Sequence, residues 1–324
     1  MCSAIEFKIF DVLEADGKRP KTAEEIFEAT KIKAWRADDF LKALAGMGHI
    51  TYDRETNKFS NTQETSDFCV STSPLYVGEI FLFRGSIDRS GDFKNLTKYL
   101  SGNHYNTLIP DFGTFYDSQP GLVESFASYM EHSCKFVGLL LPFKIDAFWK
   151  SIRSFADIGG GSGYMSYQVC KAQTHLRAVS CDLKQCLPVF NEYISKESQS
   201  IKDRVSFRAL DFFKEEMPTD VDALMFGNVI HDWSDENKRM LIKKSFNALP
   251  KGGHIVIYDF FLDQEEGKPP KLNNHLISLH MQLAATGSQF TRKEMENFLT
   301  EGGFGNIQFH GLDGTNDVMI GTKL

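Results

Sequence analysis

An α/β fold with a mostly parallel seven-stranded sheet, preceded by a smaller helical part, is predicted by three observations. Five short β-rich runs each lead into an amphipathic stretch, the pattern of a parallel sheet covered on both faces. The first run opens into a glycine-rich turn, Asp157-Ile158-Gly159-Gly160-Gly161-Ser162-Gly163. The first third reads differently, as helices with a hairpin inserted.

In chain order, Thr22-Ala23-Glu24-Glu25 has the capping-box pattern, in which the threonine oxygen and the glutamate satisfy amides at a helix start. A second helix runs from about Arg36 to Gly46 or Gly48. Ile50–Tyr52, a polar turn at Arg54–Asn57, and Lys58–Ser60 follow as two short paired strands. Two helices and a hairpin outline a winged helix. A DNA-reading second helix would be basic, whereas Asp38 and Asp39 here sit beside Arg36 and Lys42, so a dimerising module is the better reading. From about Gly121 to Trp149 the pattern is helical again, with Leu122, Phe126, Met130 and Val137 near one face; this predicts a bridging helix. The five strands are placed at Phe155–Ile158, Ala178–Cys181, Val205–Ala209, Ala223–Phe226 and Ile255–Tyr258. Two late strands, near Ile307–Phe309 and Val318–Gly321, would close one edge. The domain reading is therefore 1–120 for the dimerising part, 121–150 for a link that contributes to a substrate pocket, and 151–324 for the sheet.

Composition narrows the function. The 324 residues carry a net charge of -7, which argues against nucleic acid or an anionic membrane surface as partner. A small neutral or cationic ligand fits better. The six cysteines form neither CxxC pairs nor a dense disulfide framework, and read as reduced thiols in a cytoplasmic protein. No run approaches the roughly 18 apolar residues of a membrane span. No cluster has metal-ligand spacing, so no metal is expected.

Ligands of such sheets bind at the carboxyl ends of the strands, so the turns there carry the chemistry. In the first turn, glycines let the backbone approach a ligand closely. A dinucleotide fingerprint would need glycine at Tyr164 or Ser166, and no Gly-Lys-Ser/Thr is present; both rivals fail. Asp182 ends the second strand where a carboxylate can accept from both ribose hydroxyls. Asp211-Phe212-Phe213 follows the third strand, either as an adenine acceptor and aromatic face or as a turn acid with two core rings. Together the three turns describe an adenosine-shaped site.

After the fourth strand comes Asn228-Val229-Ile230-His231-Asp232-Trp233-Ser234-Asp235. His231 reads either as a surface or satisfied polar residue or, as an imidazole at this edge with a pKa near 6.5, as a base for a phenol, whose pKa is near 10. Asp232 either orients the ring or the substrate, or caps the next helix beside Ser234. Asp259 ends the fifth strand and either holds the imidazole tautomer, as the aspartate of a triad does, or simply leads into a polar loop. Leu272, Leu276, Leu279 and Leu283 form a helical stripe flanked by His280 and Met281, which either pack or face a pocket.

Taken in order, Phe7–Leu13, Phe59–Thr62, Asp157–Gly163, Asp211–Phe213, His231–Asp235, Lys251-Gly252-Gly253 and Gly302-Gly303-Phe304 resemble the plant caffeic-acid-type and animal hydroxyindole (acetylserotonin) O-methyltransferases. The animal branch is the nearer of the two. The resemblance implies a homodimer with a winged-helix-like N-terminal domain and a Rossmann-like catalytic domain. It also implies S-adenosylmethionine as cofactor, S-adenosylhomocysteine as product, and His231 as general base. Tyr116, Asp157, Gly159, Gly160, Gly161, Gly163, Asp182, Asp211, Phe212 and Asn228 fall where the family contacts the cofactor. Asp259 stands where caffeic-acid-type members place a glutamate beside the base, and Gln289 matches their second such glutamate. Asn228 replaces a basic residue of hydroxyindole members, while His280 and Ala284 replace a substrate-contacting asparagine and glutamine. The expected acceptor is small, hydroxylated and aromatic, lined by Phe126, Met130, Asp232, His280, Met281 and Ala284, and with these pocket differences acetylserotonin is not inferred as that acceptor. An S- or N-methyl acceptor, or a cofactor-binding regulatory homologue, stays open at this point.

Overall fold

The computed structural model describes residues 1–33, 37–86, 96–102, 109, 111–263 and 269–324; Arg36 lies outside them. The chain divides into two compact units, Met1–Arg89 with Ser128–Ser133, and Ser90–Ala127 with Cys134–Leu324.

In the N-terminal unit, β1 (Lys21–Thr22), β2 (Ile50–Asp53) and β3 (Lys58–Asn61) form an antiparallel sheet in the order β1-β3-β2. The two-residue β1 is too short for any periodicity to reveal it. The helix Ala23–Thr30 starts with both reciprocal bonds of the capping box, Thr22 with Glu25. The next helix begins at Ala37 and ends at Gly46. Between β2 and β3, the Asp53 carboxylate accepts from the Glu55 amide and the Thr56 hydroxyl, an acid-closed turn completed by Asn57 at φ 53°. Ile9, Phe10, Leu13, Ile26, Leu41, Leu44, Ile50 and Phe59 are buried in one core, so helices and hairpin share a single apolar face. Lys42 is ion-paired to Asp38 on the exposed surface of the second helix.

The C-terminal unit carries β4 (Ser154–Ile158), β5 (Arg177–Asp182), β6 (Val205–Ala209), β7 (Ala223–Gly227), β8 (His254–Asp259), β9 (Phe304–Gly311) and β10 (Asp317–Lys323). They form one seven-stranded sheet in the order β6-β5-β4-β7-β8-β10-β9. The first five strands in that order pair in parallel, and β10 runs antiparallel between β8 and β9. Phe155, Ala156, Ala223–Phe226 and Ile255–Ile257 are fully buried, as a sheet covered on both faces demands. The chain winds outward through β4, β5 and β6 and returns to β7 beside β4. The order therefore reverses between β4 and β7, and a crevice for a ligand opens at their carboxyl ends.

The continuous helix expected over 121–149 is three: Leu122–Ser133, Lys135–Lys144 and Asp146–Ser151. The first break falls at Cys134 (φ -91°, ψ 3°) and the second at Ile145 (φ -117°, ψ 37°). Pro142 lacks an amide to continue the ladder, and its carbonyl is taken by Gln173 Nε2 at 3.0 Å.

Candidate active site

The loop after β4 is tied down from below. The Gly159 and Gly160 amides donate to the Cys181 carbonyl at the end of β5. Gly163 lies at φ 80°, and a Cβ there would stand 2.7 Å from the Tyr167 ring and 2.8 Å from that of Phe190, so only glycine fits the turn into the helix Tyr164–Ala172. At Gly161, φ is 52° and a Cβ would meet no described atom within 4 Å: this is the open side of the cradle.

Asp182 closes that side. Its Oδ2 accepts from the Gly161 amide at 2.8 Å and its Oδ1 from the Leu183 amide at 2.7 Å. Burial raises its pKa, against the hydrogen bonds from Gly161, Leu183 and Cys186. The Cys186 thiol donates to Asp182 and accepts from the Tyr116 hydroxyl, so Tyr116 joins the site through a cysteine. The sequence showed Cys186 only as a reduced thiol; its place four residues after Asp182, in the same turn, was the available signal.

Two other acids are placed differently. Asp157 is 3% exposed and accepts from the Ser166 hydroxyl at 3.0 Å beneath the loop, and burial pushes its pKa up to about 7. Asp211 accepts from the Phe213 amide and from Lys214 Nζ at 2.7 Å; these bonds outweigh partial burial and hold its pKa below the usual carboxylate range. Lys244 donates to the Phe212 and Glu215 carbonyls and fixes this turn. The Phe212 ring stands edge-on to Trp233, 5.8 Å between centres.

Across the crevice, Asn228 follows β7 at φ 52°, a left-handed conformation that asparagine tolerates better than most residues. Its Nδ2 donates to Cys134 Sγ at 3.3 Å, while its buried Oδ1 has no partner among the described residues. A Cβ on Gly159 would lie 2.6 Å from Val229, so the loop and this turn are in close contact.

His231 sits in the 3-10 turn Ile230–Asp232 and is 6% exposed. Its Nδ1 is 2.6 Å from Asp259 Oδ1 at the end of β8, and its Nε2 is 3.6 Å from Asp232 Oδ1. Asp259 is fully buried, and its Oδ1 also accepts from the Phe260 amide. With its amide oriented to match its neighbours, Gln289 donates to Asp259 Oδ1 at 3.0 Å and to the Phe260 carbonyl at 3.2 Å, and its oxygen accepts from His231 Nδ1 at 3.0 Å. Nδ1 thus faces two acceptors and carries hydrogen. Burial works to lower the pKa of His231, but Asp259 and Asp232 together raise it to about 9.

The helix Leu272–Ala284 and the segment after it lie against the His231 turn. Thr286 donates its amide and hydroxyl to the Asp232 carbonyl, and a Cβ on Gly287 would stand 2.2 Å from the His231 carbonyl. Ala284 is buried and accepts from the Ile109 amide, while His280 and Met281 are half-buried on the same helix. Phe126 packs 6.0 Å from the rings of Phe112, Phe115 and Tyr116, and Phe112 continues to Trp233 at 5.9 Å. Met130, further along its helix, belongs to the N-terminal unit. The structure therefore brings together His231, Asp259 and Gln289 on one side, and Gly161, Asp182 and Tyr116 on the other. Asp157 lies beneath the loop and Asp211 closes its own turn.

An O-methyltransferase domain model matches residues 109–305. The chain belongs to the O-methyltransferase family. It is an S-adenosylmethionine-dependent methyltransferase. Over 332 residues the methyltransferase is 27% identical to the tetracenomycin polyketide synthesis 8-O-methyl transferase of Streptomyces glaucescens, covering 100% of this chain and 92% of that one. An N,N-dimethyltransferase of Streptomyces rimosus is 29% identical over 81% of this chain and 74% of its own. The crystal structure of human N-acetylserotonin methyltransferase in complex with SAM shares the fold at a TM-score of 0.86, with 20% identity over 99% of this chain and 92% of that one. The likeness thus extends beyond the animal and plant branches to bacterial enzymes.

The residues at the crevice fit the cofactor. A buried carboxylate at the end of β5, an open glycine at the turn and an orphaned amide oxygen at Asn228 are the acceptors and the clearance that a nucleoside with a charged amino-acid tail requires. Among the described residues no helix is long and apolar enough to cross a membrane, and no group of three or more His, Cys, Asp or Glu could hold a metal ion.

Proposed function

We propose that this methyltransferase acts on the hydroxyl of a small aromatic acceptor, with His231 as the general base. The observation that carries the reading is the fixing of Nδ1 by Asp259 and Gln289, which leaves Nε2 as the ring's basic atom. When bound, S-adenosylmethionine supplies an electrophilic methyl group and leaves as S-adenosylhomocysteine. Asp182 accepts from the ribose hydroxyls, the glycine loop leaves room for the tail, and Asn228 Oδ1 supplies a further acceptor for the cofactor. Phe126, Met281, His280 and Ala284 shape the acceptor side, with Asp232 beside Nε2. His231 Nε2 takes the hydroxyl proton as the oxygen forms its new bond to carbon, and the imidazolium is stabilised by Asp259. The bacterial relative named for 8-O-methyl transfer in polyketide synthesis supports a hydroxyl as the target.

The test is an acceptor-library assay of S-adenosylhomocysteine release with wild type and His231→Ala, alongside calorimetry with S-adenosylmethionine. Loss of turnover with retained cofactor affinity is expected. Full turnover in the variant would favour a second reading, transfer to an amine, which the Streptomyces rimosus N,N-dimethyltransferase relative supports; its pH profile would lack the imidazole limb. We further propose a cytoplasmic homodimer in which residues 1–120 dimerise, 121–150 contribute to the substrate pocket and 151–324 catalyse. All six cysteines are free, which supports the cytoplasmic reading. Sedimentation equilibrium reads the dimer directly.

A further inference from the structure

The helix Asp235–Ala248 begins directly after the His231 turn, and its first turn carries Lys238, which is only 1% exposed. A lysine is rarely buried this fully unless partners replace its lost hydration. Its Nζ donates to Asp235 Oδ1 at 3.1 Å and to the Ser288 carbonyl at 3.2 Å, and it stands 5.7 Å from the ring centre of Phe290 and 6.0 Å from that of Phe298. The Asp235 side chain is mostly exposed, so that pair is the weaker hold. The interior holds are Ser288 and Phe290, the two residues that flank Gln289. Neighbouring ties run elsewhere: Thr286 to the Asp232 carbonyl, and the Phe290 carbonyl to the Leu262 amide.

We infer that Lys238 is a positioning residue for methyl transfer: its buried ammonium fixes the Ser288–Phe290 segment so that the Gln289 amide bridges Asp259 and His231. Moving the segment would take the Gln289 oxygen from Nδ1 and the Gln289 nitrogen from Asp259 together, because one planar amide makes both bonds. The tautomer of the base then depends on Asp259 alone. The charged groups that bear on His231 are Asp259 from β8, Asp232 from its own turn and Lys238 from the helix. The two acids favour the imidazolium and Lys238 opposes it. Lys238 therefore acts in two ways, by placing the neutral partner of the base and by keeping the ring easier to deprotonate.

The inference rests on His231 being the base, and its test is chosen to need no acceptor. In the full chain, labelled with ¹⁵N-histidine and saturated with S-adenosylhomocysteine, nitrogen chemical shifts report the tautomer and titration of His231, assigned by their loss in His231→Ala. Wild type is expected to show a single Nδ1–H tautomer. Lys238→Met is expected to mix the tautomers and to move the midpoint upward. Gln289→Leu should likewise mix the tautomers but, removing no charge, should not raise the midpoint, and the tautomer change in the double variant should be less than the sum of the two, since both break one bridge. Lys238→Gln, which can still donate to Ser288 but carries no charge, should keep the tautomer while its midpoint rises. A folded Lys238→Met with the wild-type tautomer overturns the inference; so does Lys238→Gln with an unmoved midpoint, which decides the matter where the methionine variant does not fold. Full turnover of an acceptor by His231→Ala is a separate result, which overturns the base while the spectra still report where Lys238 holds Gln289.

Discussion

The glycine-loop side of the site and the His231 side are built from different material. The first is mostly backbone and strand ends: two amides anchored on the Cys181 carbonyl, a third on Asp182, and a glycine at the point where a side chain would collide. The second is an array of side chains from segments far apart in the chain, His231, Asp259 and Gln289, locked by Lys238. A site made of backbone tolerates changes in most side chains and fails at a few. A site made of side-chain bridges fails in graded steps, because each partner can be removed alone.

The largest expected effect breaks the second side without touching the first. His231→Ala should reduce kcat by about 10²–10⁴-fold, the span of general-base catalysis, while calorimetric affinity for S-adenosylmethionine stays near wild type. The reciprocal variant is Asp182→Ala. Loss of a buried charged acceptor costs about 1.5–3 kcal/mol, so the cofactor Kd should rise by about 10–100-fold. An unchanged Kd there, or a Kd that collapses in His231→Ala, would mean that the two sides are not separable.

The same contrast explains what the sequence could reveal. Strand, glycine turn and helix are consecutive at 154–172, so the loop was legible from a few neighbouring residues, as was the Thr22–Glu25 cap. Asp182 was legible because a carboxylate at a strand end has one direction to go. What the spacing of Asp157 and Asp211 did not encode is their surroundings: Asp157 is buried beneath the loop with the Ser166 hydroxyl, nine residues on, and Asp211 pairs with Lys214, three residues on, in its own turn. The break at Cys134 was hidden because buried positions such as Val137 and Leu141 continue the apolar pattern past it. Lys238 gave no signal at all: in a run of charged residues it reads as surface, and its partner is 50 residues away.

A smaller change sharpens the account of the base. Asp259→Asn removes the main charge that raises His231, so the rising limb of kcat/KM, expected near pH 9 in wild type, should move down toward the ordinary imidazole value of about 6.5. The sign for stability follows from linkage. A histidine whose folded pKa is about 9 contributes stability that is fully present below about pH 6.5 and is lost as pH rises through 9. Wild type should therefore exceed Asp259→Asn in denaturant midpoint most at low pH, above the range in which carboxylates titrate, and the gap should narrow toward pH 9. A gap that widens with pH would assign the raised pKa to something other than this pair.

The smallest effect is expected one residue beyond the Phe290 ring. Thr291 caps the helix Arg292–Gly302 through a full capping box with Glu294. Thr291→Ala removes the hydroxyl that the Glu294 amide needs, at a cost of about 1 kcal/mol in unfolding free energy. If the segment carrying Gln289 were held from its helical end, losing this cap would also disturb His231, and the pH limb would move with the stability. With Lys238 holding Ser288 and the Leu262 amide holding Phe290, the cap lies outside the bridge. Thr291→Ala should thus lower the melting temperature while leaving the midpoint of kcat/KM where it was, and a shifted midpoint would transfer the positioning role from Lys238 to the helix start.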